Sequence, residues 1–216
     1  MRVSHVALDD FRSYRHAVVE FAPGTTVLLG SNGQGKTNLV EAVSYLSAFS
    51  SHRVSAEQAL VRLPLSADEP QPGGAVVRVR LVTASERETV IELEIVRGKA
   101  NRAKVNRTQV RPREVLGLLK SVVFSPEDLQ IVRGDPQVRR QFLDDLLIQQ
   151  HPLIAQVKND FDKVARQRAA LMKSAQSQLR RGFTPDFSTV EVWDDTFAQL
   201  SAQLSLARVG LVEELR

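Results

Sequence analysis

Cysteine is absent from the 216 residues, which excludes disulfides and thiolate-held metal sites and suits a reducing compartment. Aromatic residues are sparse, at 6% with a single tryptophan, so the chain has few side chains on which nucleic-acid bases can stack. The histidines His5, His16, His52 and His151 are scattered without ligand spacing, and no histidine metal site is expected. No serine, histidine and carboxylate grouping suggests nucleophilic catalysis, and no internal repeat is visible. No stretch approaches the roughly 18 apolar residues that a membrane span needs. The start, Met1-Arg2-Val3-Ser4-His5-Val6, lacks the basic segment and long apolar core of an export signal, so a cytoplasmic chain is expected.

What is present is the composition of a globular protein, 43% hydrophobic and 25% charged, and long enough for a substantial core. The net charge of +4 and pI near 9.7 permit a nucleic-acid partner without requiring one. Val3, Val6 and Leu8 open a strand pattern ending near Asp9-Asp10, and His16 to Phe21 is a second. After the Pro23-Gly24 turn, Thr25 to Leu29 is nearly all apolar, as a buried strand should be. The period then turns helical, with Leu39, Val43 and Leu46 on one face and Val40 and Ala42 widening it. Ala75 to Thr83 and Glu88 to Val96 alternate in the strand period, and Ala103 to Asn106 extends this antiparallel meander. Pro112 to Leu119 reads as a short helix and Val122-Val123-Phe124 as a brief strand stopped at Ser125-Pro126. Beyond this the chain reads as helical. Asp135-Pro136 starts a helix that buries Phe142, Leu143, Leu146 and Leu147. A long amphipathic helix from Pro152 to about Gln178 ends before Thr184-Pro185, and Ser188 to Arg216 is helical again. The shift near residue 125 divides a lobe of residues 1–124 from a helical lobe of residues 125–216.

Gly30-Ser31-Asn32-Gly33-Gln34-Gly35-Lys36-Thr37 satisfies G-x-x-x-x-G-K-[ST] at every fixed position. Glycines let the backbone curl so that several N–H groups converge on one anion. The helix that follows aims its positive end at the same point. Lys36 is placed to reach the β- and γ-phosphates, and the Thr37 hydroxyl to ligate Mg²⁺. The expected ligand is therefore a nucleoside triphosphate, ATP with Mg²⁺, held by Gly30, Ser31, Asn32, Gly33, Gln34, Gly35, Lys36, Thr37 and Asn38.

Asn32-Gly33-Gln34-Gly35-Lys36-Thr37-Asn38 resembles the phosphate loop of the SMC-like branch of the ABC ATPases, which serve chromosome maintenance and DNA repair. Leu8 to Tyr14, Ser51-His52-Arg53, Phe124 to Leu129, Gly134-Asp135-Pro136 and Arg139 to Asp144 resemble the recombination-mediator members of that branch, collinearly from Met1 to about Leu147. The resemblance implies an α/β fold. It would comprise an ABC-type P-loop lobe, a mixed sheet with an antiparallel β meander, followed by a helical lobe. It further implies binding of DNA at single-strand gaps without sequence preference, assistance to recombinase loading in recombinational repair and the SOS response, an ATP-dependent homodimer and a RecR-like mediator partner. In this family a Walker B carboxylate pair and a partner-supplied signature motif complete hydrolysis. Neither is found here: Leu200-Ser201-Ala202-Gln203 lacks the glycine, and no run of four apolar residues ends in Asp-Glu. The 216 residues are thus expected to be an N-terminal part that binds ATP without turning it over.

Several residues carry two readings. Arg12 faces the phosphates or is an ordinary surface arginine, and Arg53 reaches phosphate or DNA or is solvated. Glu127 and Asp128 either supply an oxygen ligand to Mg²⁺ or simply start a helix after Ser125-Pro126. Arg97, Lys99, Arg102, Lys104, Arg107, Arg111 and Arg113 lie in a span without Asp or Glu, as do Lys163, Arg166, Arg168, Lys173, Arg180 and Arg181 in another. Each cluster is either a phosphate-contacting surface or a solvated face. Two other functions compete: a P-loop small-molecule kinase, and a non-hydrolysing architectural protein switched by nucleotide. The β meander argues against a compact kinase, which alternates strands and helices throughout.

Overall fold

The computed structural model describes all residues except 52, 55 and 185–187, so His52 and Pro185 lie outside the described residues. The chain forms two compact units, Met1–Gly134 and Asp135–Arg216.

The first unit is built on six antiparallel strands: β1 (Arg2–Phe11), β2 (Tyr14–Glu20), β3 (Gly74–Val82), β4 (Glu88–Val96), β5 (Arg102–Val105) and β6 (Thr108–Val110). Their order in the sheet is β2-β1-β3-β4-β5-β6. Because side chains alternate across a strand, each strand with an apolar period of two buries one face. Val6 and Leu8 of β1, Val77, Val79 and Leu81 of β3, and Ile91, Leu93 and Ile95 of β4 form that face. Helix α1 (Lys36–Ala48) covers it with Leu39, Ala42, Tyr45 and Leu46. Each such side chain contributes roughly 1.5–3 kcal/mol on full burial. Helix α2 (Leu129–Arg133) ends this unit at Gly134. The second unit holds α3 (Pro136–Gln150) and two long helices, α4 (Ile154–Arg180) and α5 (Ser188–Glu214), that pack on each other. Phe161 and Phe197 stack across α4 and α5 with ring centroids 5.3 Å apart.

The α/β architecture with an antiparallel meander and a following helical part is as expected, but several local readings need correction. Thr25 to Leu29 is not a strand. Val27 and Leu29 are 71% and 87% exposed, and no described strand lies in hydrogen-bonding register with them. A strand exists only through its ladder, so β propensity without a neighbour leaves extended coil. Val122 to Phe124 fails for the same reason: Ser121 is tied to Ser47 by a 2.9 Å hydroxyl bond, after which Val122 and Phe124 are almost fully exposed. Without these two segments the described sheet has no parallel pair and is antiparallel rather than mixed. Pro112 to Leu119 contains only a 3₁₀ turn, Pro112–Glu114. The strand β6 was not foreseen; it forms because Asn106 and Arg107 both take left-handed backbone conformations, which closes a tight hairpin after β5.

In α3 the buried face is Asp144, Leu147 and Ile148, and Phe142 is exposed. The rotation follows from Asp144, which accepts two hydrogen bonds at 2.8 and 2.9 Å from Arg208 of α5. A buried carboxylate is tolerated when paired in this bidentate way.

Candidate functional site

The phosphate-loop residues sit where the motif requires them, between the extended segment ending at Leu29 and the first turn of α1. Gly30, Gly33 and Gly35 have φ of 149°, 84° and 90°, a region that residues with a Cβ rarely occupy. This is the local reason for glycine at these positions. Gly35 also has no room: a Cβ would lie 2.8 Å from Ser13 Oγ and 2.9 Å from the Tyr14 ring. The turn between β1 and β2 is therefore pressed against the loop at the point where α1 begins. Lys36 curls back, its Nζ donating to the carbonyl oxygens of Gly30 at 2.7 Å and Ser31 at 2.8 Å. Those bonds hold the loop curled and keep the ammonium beside it. Ser31, Asn32, Gln34 and Thr37 are exposed, and Asn38 is half-buried on the first turn of the helix.

A second layer of residues, mostly invisible to sequence reasoning, supports this loop. Glu41 lies on the core side of α1 and is fully buried. Its two oxygens are gripped by Arg12, with Nε at 2.9 Å and Nη2 at 2.6 Å. Arg12 Nη1 donates in addition to the Ala59 carbonyl at 3.0 Å. Ser51 Oγ donates to Glu41 at 2.5 Å, and Arg53 Nη1 approaches the same carboxylate at 3.2 Å. That Nη1 also donates to Asn38 Oδ1 at 2.7 Å, while Asn38 Nδ2 donates to Ser13 Oγ at 2.9 Å. Burial pushes the Glu41 carboxyl upward, but the hydrogen bonds from Arg12 and Ser51 and the charges of Arg12 and Arg53 outweigh it and hold the group below its ordinary value.

Both arginines belong to this network. Arg12 is not a free surface residue: each of its three guanidinium nitrogens donates one hydrogen bond within the fold. It reaches this position through a left-handed backbone at φ 53°. Arg53 is more exposed, and its guanidinium hydrogen-bonds only through Nη1 among the described residues. Glu41 was missed because α1 reads as a simple apolar stripe. The available signal was a carboxylate three residues after Asn38, hence its neighbour on the helix, between two arginines of unknown partner.

Asp128 accepts the Ser125 N–H at 2.6 Å and so starts the 3₁₀ turn Pro126–Asp128, which is the helix-start reading. No group of three or more His, Cys, Asp or Glu suited to a metal is present among the described residues. A Mg²⁺ here would be held by one protein oxygen, the Thr37 hydroxyl, together with phosphate and water, a donor set that this hard cation accepts.

The basic span 97–113 is less free than its sequence suggests. In the β3–β4–β5 register Glu92 stands opposite both Arg78 and Lys104, and Glu94 opposite Arg102. Lys104 and Arg78 bond Glu92 at 2.6 and 2.7 Å, and Arg102 lies 3.7 Å from Glu94. Lys99, Arg107 and Arg111 are exposed and have no ion pair among the described residues. On α4, Arg168 is bound to Asp194 and lies over the Phe197 ring at 5.6 Å, so it joins two helices.

The chain matches the RecF/RecN/SMC N terminal domain over residues 2–208. It is 51% identical over 220 residues to the DNA replication and repair protein RecF of Beutenbergia cavernae, covering all of this chain and 53% of that protein. The corresponding figures for RecF of Frankia alni are 49% identity, all of this chain and 55% of the relative. The chain thus spans about half the length of the curated relatives it matches. Among solved structures, it is similar to the recombination mediator RecF with ATP in the RecFOR pathway, at 28% identity and a TM-score of 0.83, covering 99% of this chain and 54% of that one. A second RecF structure, described as RecF-ATPrS, gives a TM-score of 0.84 at 27% identity over 99% of this chain and 55% of that one. An SMC ATPase studied for ATP-driven dimerization shares the fold at a TM-score of 0.54, covering 67% of this chain and 98% of that one.

Proposed function

The chain belongs to the RecF/RecN/SMC N-terminal domain family, and from this we propose that it is the nucleotide-binding part of a RecF-type DNA replication and repair protein. It binds ATP through Gly30 to Asn38. The observation that carries this reading is the geometry of the loop. Three glycines at positive φ, the N-terminal end of α1, which has no side-chain cap, and the Lys36 ammonium held by the loop lie together, an arrangement that suits a polyphosphate. Lys36 exchanges its carbonyl partners for the β- and γ-phosphates, and Thr37 supplies the protein ligand to Mg²⁺. When bound, the cation neutralises phosphate charge. The chain's own contribution is to orient the polyphosphate by backbone N–H groups that need no rearrangement.

The wider role follows from the relatives. RecF proteins are named for DNA replication and repair, and the solved ones belong to the RecFOR pathway. We read this chain's partners accordingly as DNA at single-strand gaps, engaged without sequence preference, a second copy in an ATP-dependent dimer, and a RecR-like mediator, all in the cytoplasm. A non-hydrolysing switch fits the 216 residues as well, because Leu200-Ser201-Ala202-Gln203 lacks the signature glycine and no run of four apolar residues ends in Asp-Glu.

Lys36→Ala tests the central claim. The side chain is half-buried and bonds only loop carbonyls, so its removal should leave the fold's melting temperature nearly unchanged. ATP affinity should fall at least about tenfold, since a charged hydrogen bond is worth roughly 1.5–3 kcal/mol. Equal calorimetric affinity in variant and parent would remove nucleotide binding from this loop.

A further inference from the structure

We propose that Glu41 is a positioning residue for nucleotide binding, acting through Arg53: it holds this arginine beside the first turn of α1, where the polyphosphate lies. The inference rests on the nucleotide reading above and adds to it a residue and a route.

The geometry is specific. Arg12 commits Nε and Nη2 to the two oxygens of Glu41 and Nη1 to the Ala59 carbonyl, so three of its five N–H donors are spent within the fold and the carboxylate is fixed. Glu41 is thereby a rigid, fully buried acceptor rather than a mobile one. Its remaining capacity goes to Ser51 and Arg53. Ser51 Oγ in turn accepts the backbone N–H of Arg53 at 3.1 Å and of Val54 at 3.3 Å, so the same carboxylate organises the backbone that carries Arg53. Arg53 Nη1 is shared between Glu41 and Asn38, and Asn38 directly follows Thr37 of the phosphate loop. Asn38 is tied to Ser13, which borders the space beside Gly35. The guanidinium is therefore held at the helix end that carries Lys36 and the unpaired N–H groups.

Electrostatics gives the arrangement a direction. Arg53, bonded to Asn38 on the first turn of α1, adds a positive charge at the helix end that is already positive, which is unfavourable unless an anion offsets it. Glu41 supplies one buried negative charge against two arginines. The balance is left for an incoming anion, and Arg53, with Nε and Nη2 making no hydrogen bond to described residues, is the group able to meet it. A long arginine side chain loses conformational entropy when it is ordered on binding. Glu41 and Asn38 impose that order before the ligand arrives.

The experiment is ATP titration calorimetry with Mg²⁺ on the 216-residue chain, as parent, Glu41→Gln, Arg53→Ala and the double variant, with thermal melts alongside. Glutamine keeps the shape but loses the charge that grips Arg53. Expected is a loss of affinity of about tenfold for E41Q, a similar loss for R53A, and a double variant no weaker than R53A alone. A merely structural Glu41 would instead lower affinity by the same factor whether or not Arg53 is present. Should E41Q not fold, Ser51→Ala serves: it keeps the ion pairs and removes one support, and its smaller loss should likewise vanish in the R53A background. Unchanged affinity in R53A, or independent additive losses, would overturn the proposal. A parent chain that does not bind ATP, or binds it equally after Lys36→Ala, would overturn the nucleotide reading instead.

Discussion

Glu69 shows how strongly single residues of this fold depend on ionisation. Its carboxylate accepts from Arg62 at 2.7 Å and from the Leu65 N–H at 2.8 Å, and these bonds hold it down at about 2. Arg62 is buried and also bonds Asp10 at 2.8 Å, so the trio anchors the chain after the 3₁₀ turn Glu57–Leu60 to the end of β1. Glu41 and Glu92 are held below their ordinary values as well, each gripped by two basic side chains. A carboxyl that is more acidic in the folded chain than in the unfolded one stabilises fully above the unfolded value, near 4.3, and loses its contribution as pH falls through the folded value. The melting temperature should therefore be steady at pH 5 to 7 and fall steeply between about pH 4.3 and 2. Glu69→Gln should melt lower at neutral pH and show a shallower acid limb in scanning calorimetry. An acid limb of unchanged steepness would mean that Glu69 is not coupled to folding in this way.

At the scale of elements, the antiparallel meander sorts its own charges. Adjacent strands place Arg78, Glu92 and Lys104 in one cross-strand row, and Glu94 with Arg102 in the next. Such exposed or half-exposed pairs contribute modestly to stability, on the order of 0.2–1 kcal/mol each. Their larger consequence is for partners, because a lysine already bound to a carboxylate is a poor phosphate ligand. The exposed cations of this span without an ion pair among the described residues, Lys99, Arg107 and Arg111, lie at the hairpin ends and beyond, and the proposed DNA contact would fall to them. Replacing these three with alanine should weaken duplex binding for all sequences alike. It should also flatten the log–log salt dependence by up to ~0.9 for each phosphate that is no longer neutralised. Replacing Arg102 and Lys104 should change that slope much less. Fluorescence anisotropy over a salt series separates the two; equal slopes for the first variant and the parent would assign the whole hairpin to solubility.

For the whole molecule the governing fact is that binding and hydrolysis need different amounts of structure. The curled loop, Lys36 and Thr37, on which the proposed nucleotide binding rests, are present together. Turnover also requires a positioned water and a carboxylate that orients it, and no run of four apolar residues ending in Asp-Glu occurs in the 216 residues. Positioning and electrostatics supply most of the rate in phosphoryl transfer, so the 216-residue chain should bind ATP and release phosphate no faster than its Lys36→Ala variant. Phosphate release at saturating ATP, with and without duplex DNA, checks this. DNA-stimulated release above that control would reveal a catalytic carboxylate in the helical unit.

The phosphate loop and the order of the main elements were legible in the sequence because both are local. Glycine spacing dictates left-handed backbone at Gly30, Gly33 and Gly35, and apolar periods of two and of nearly four mark β1, β3, β4 and α1 before any contact is known. What the sequence could not decide was every question about partners. Thr25 to Leu29 and Val122 to Phe124 have the composition of strands, yet strand formation depends on a neighbour's ladder, which composition does not contain. The basic span 97–113 has no acid in its own run, but the antiparallel register brings Glu92 and Glu94 across from another strand. Asp144 and Glu41 interrupt apolar stripes and are buried all the same, because Arg208 lies 64 residues away from the first and Arg12 lies 29 residues from the second. A buried charge is stable only beside its counter-charge. Where that counter-charge sits is a property of the folded chain, not of the residues around the carboxylate.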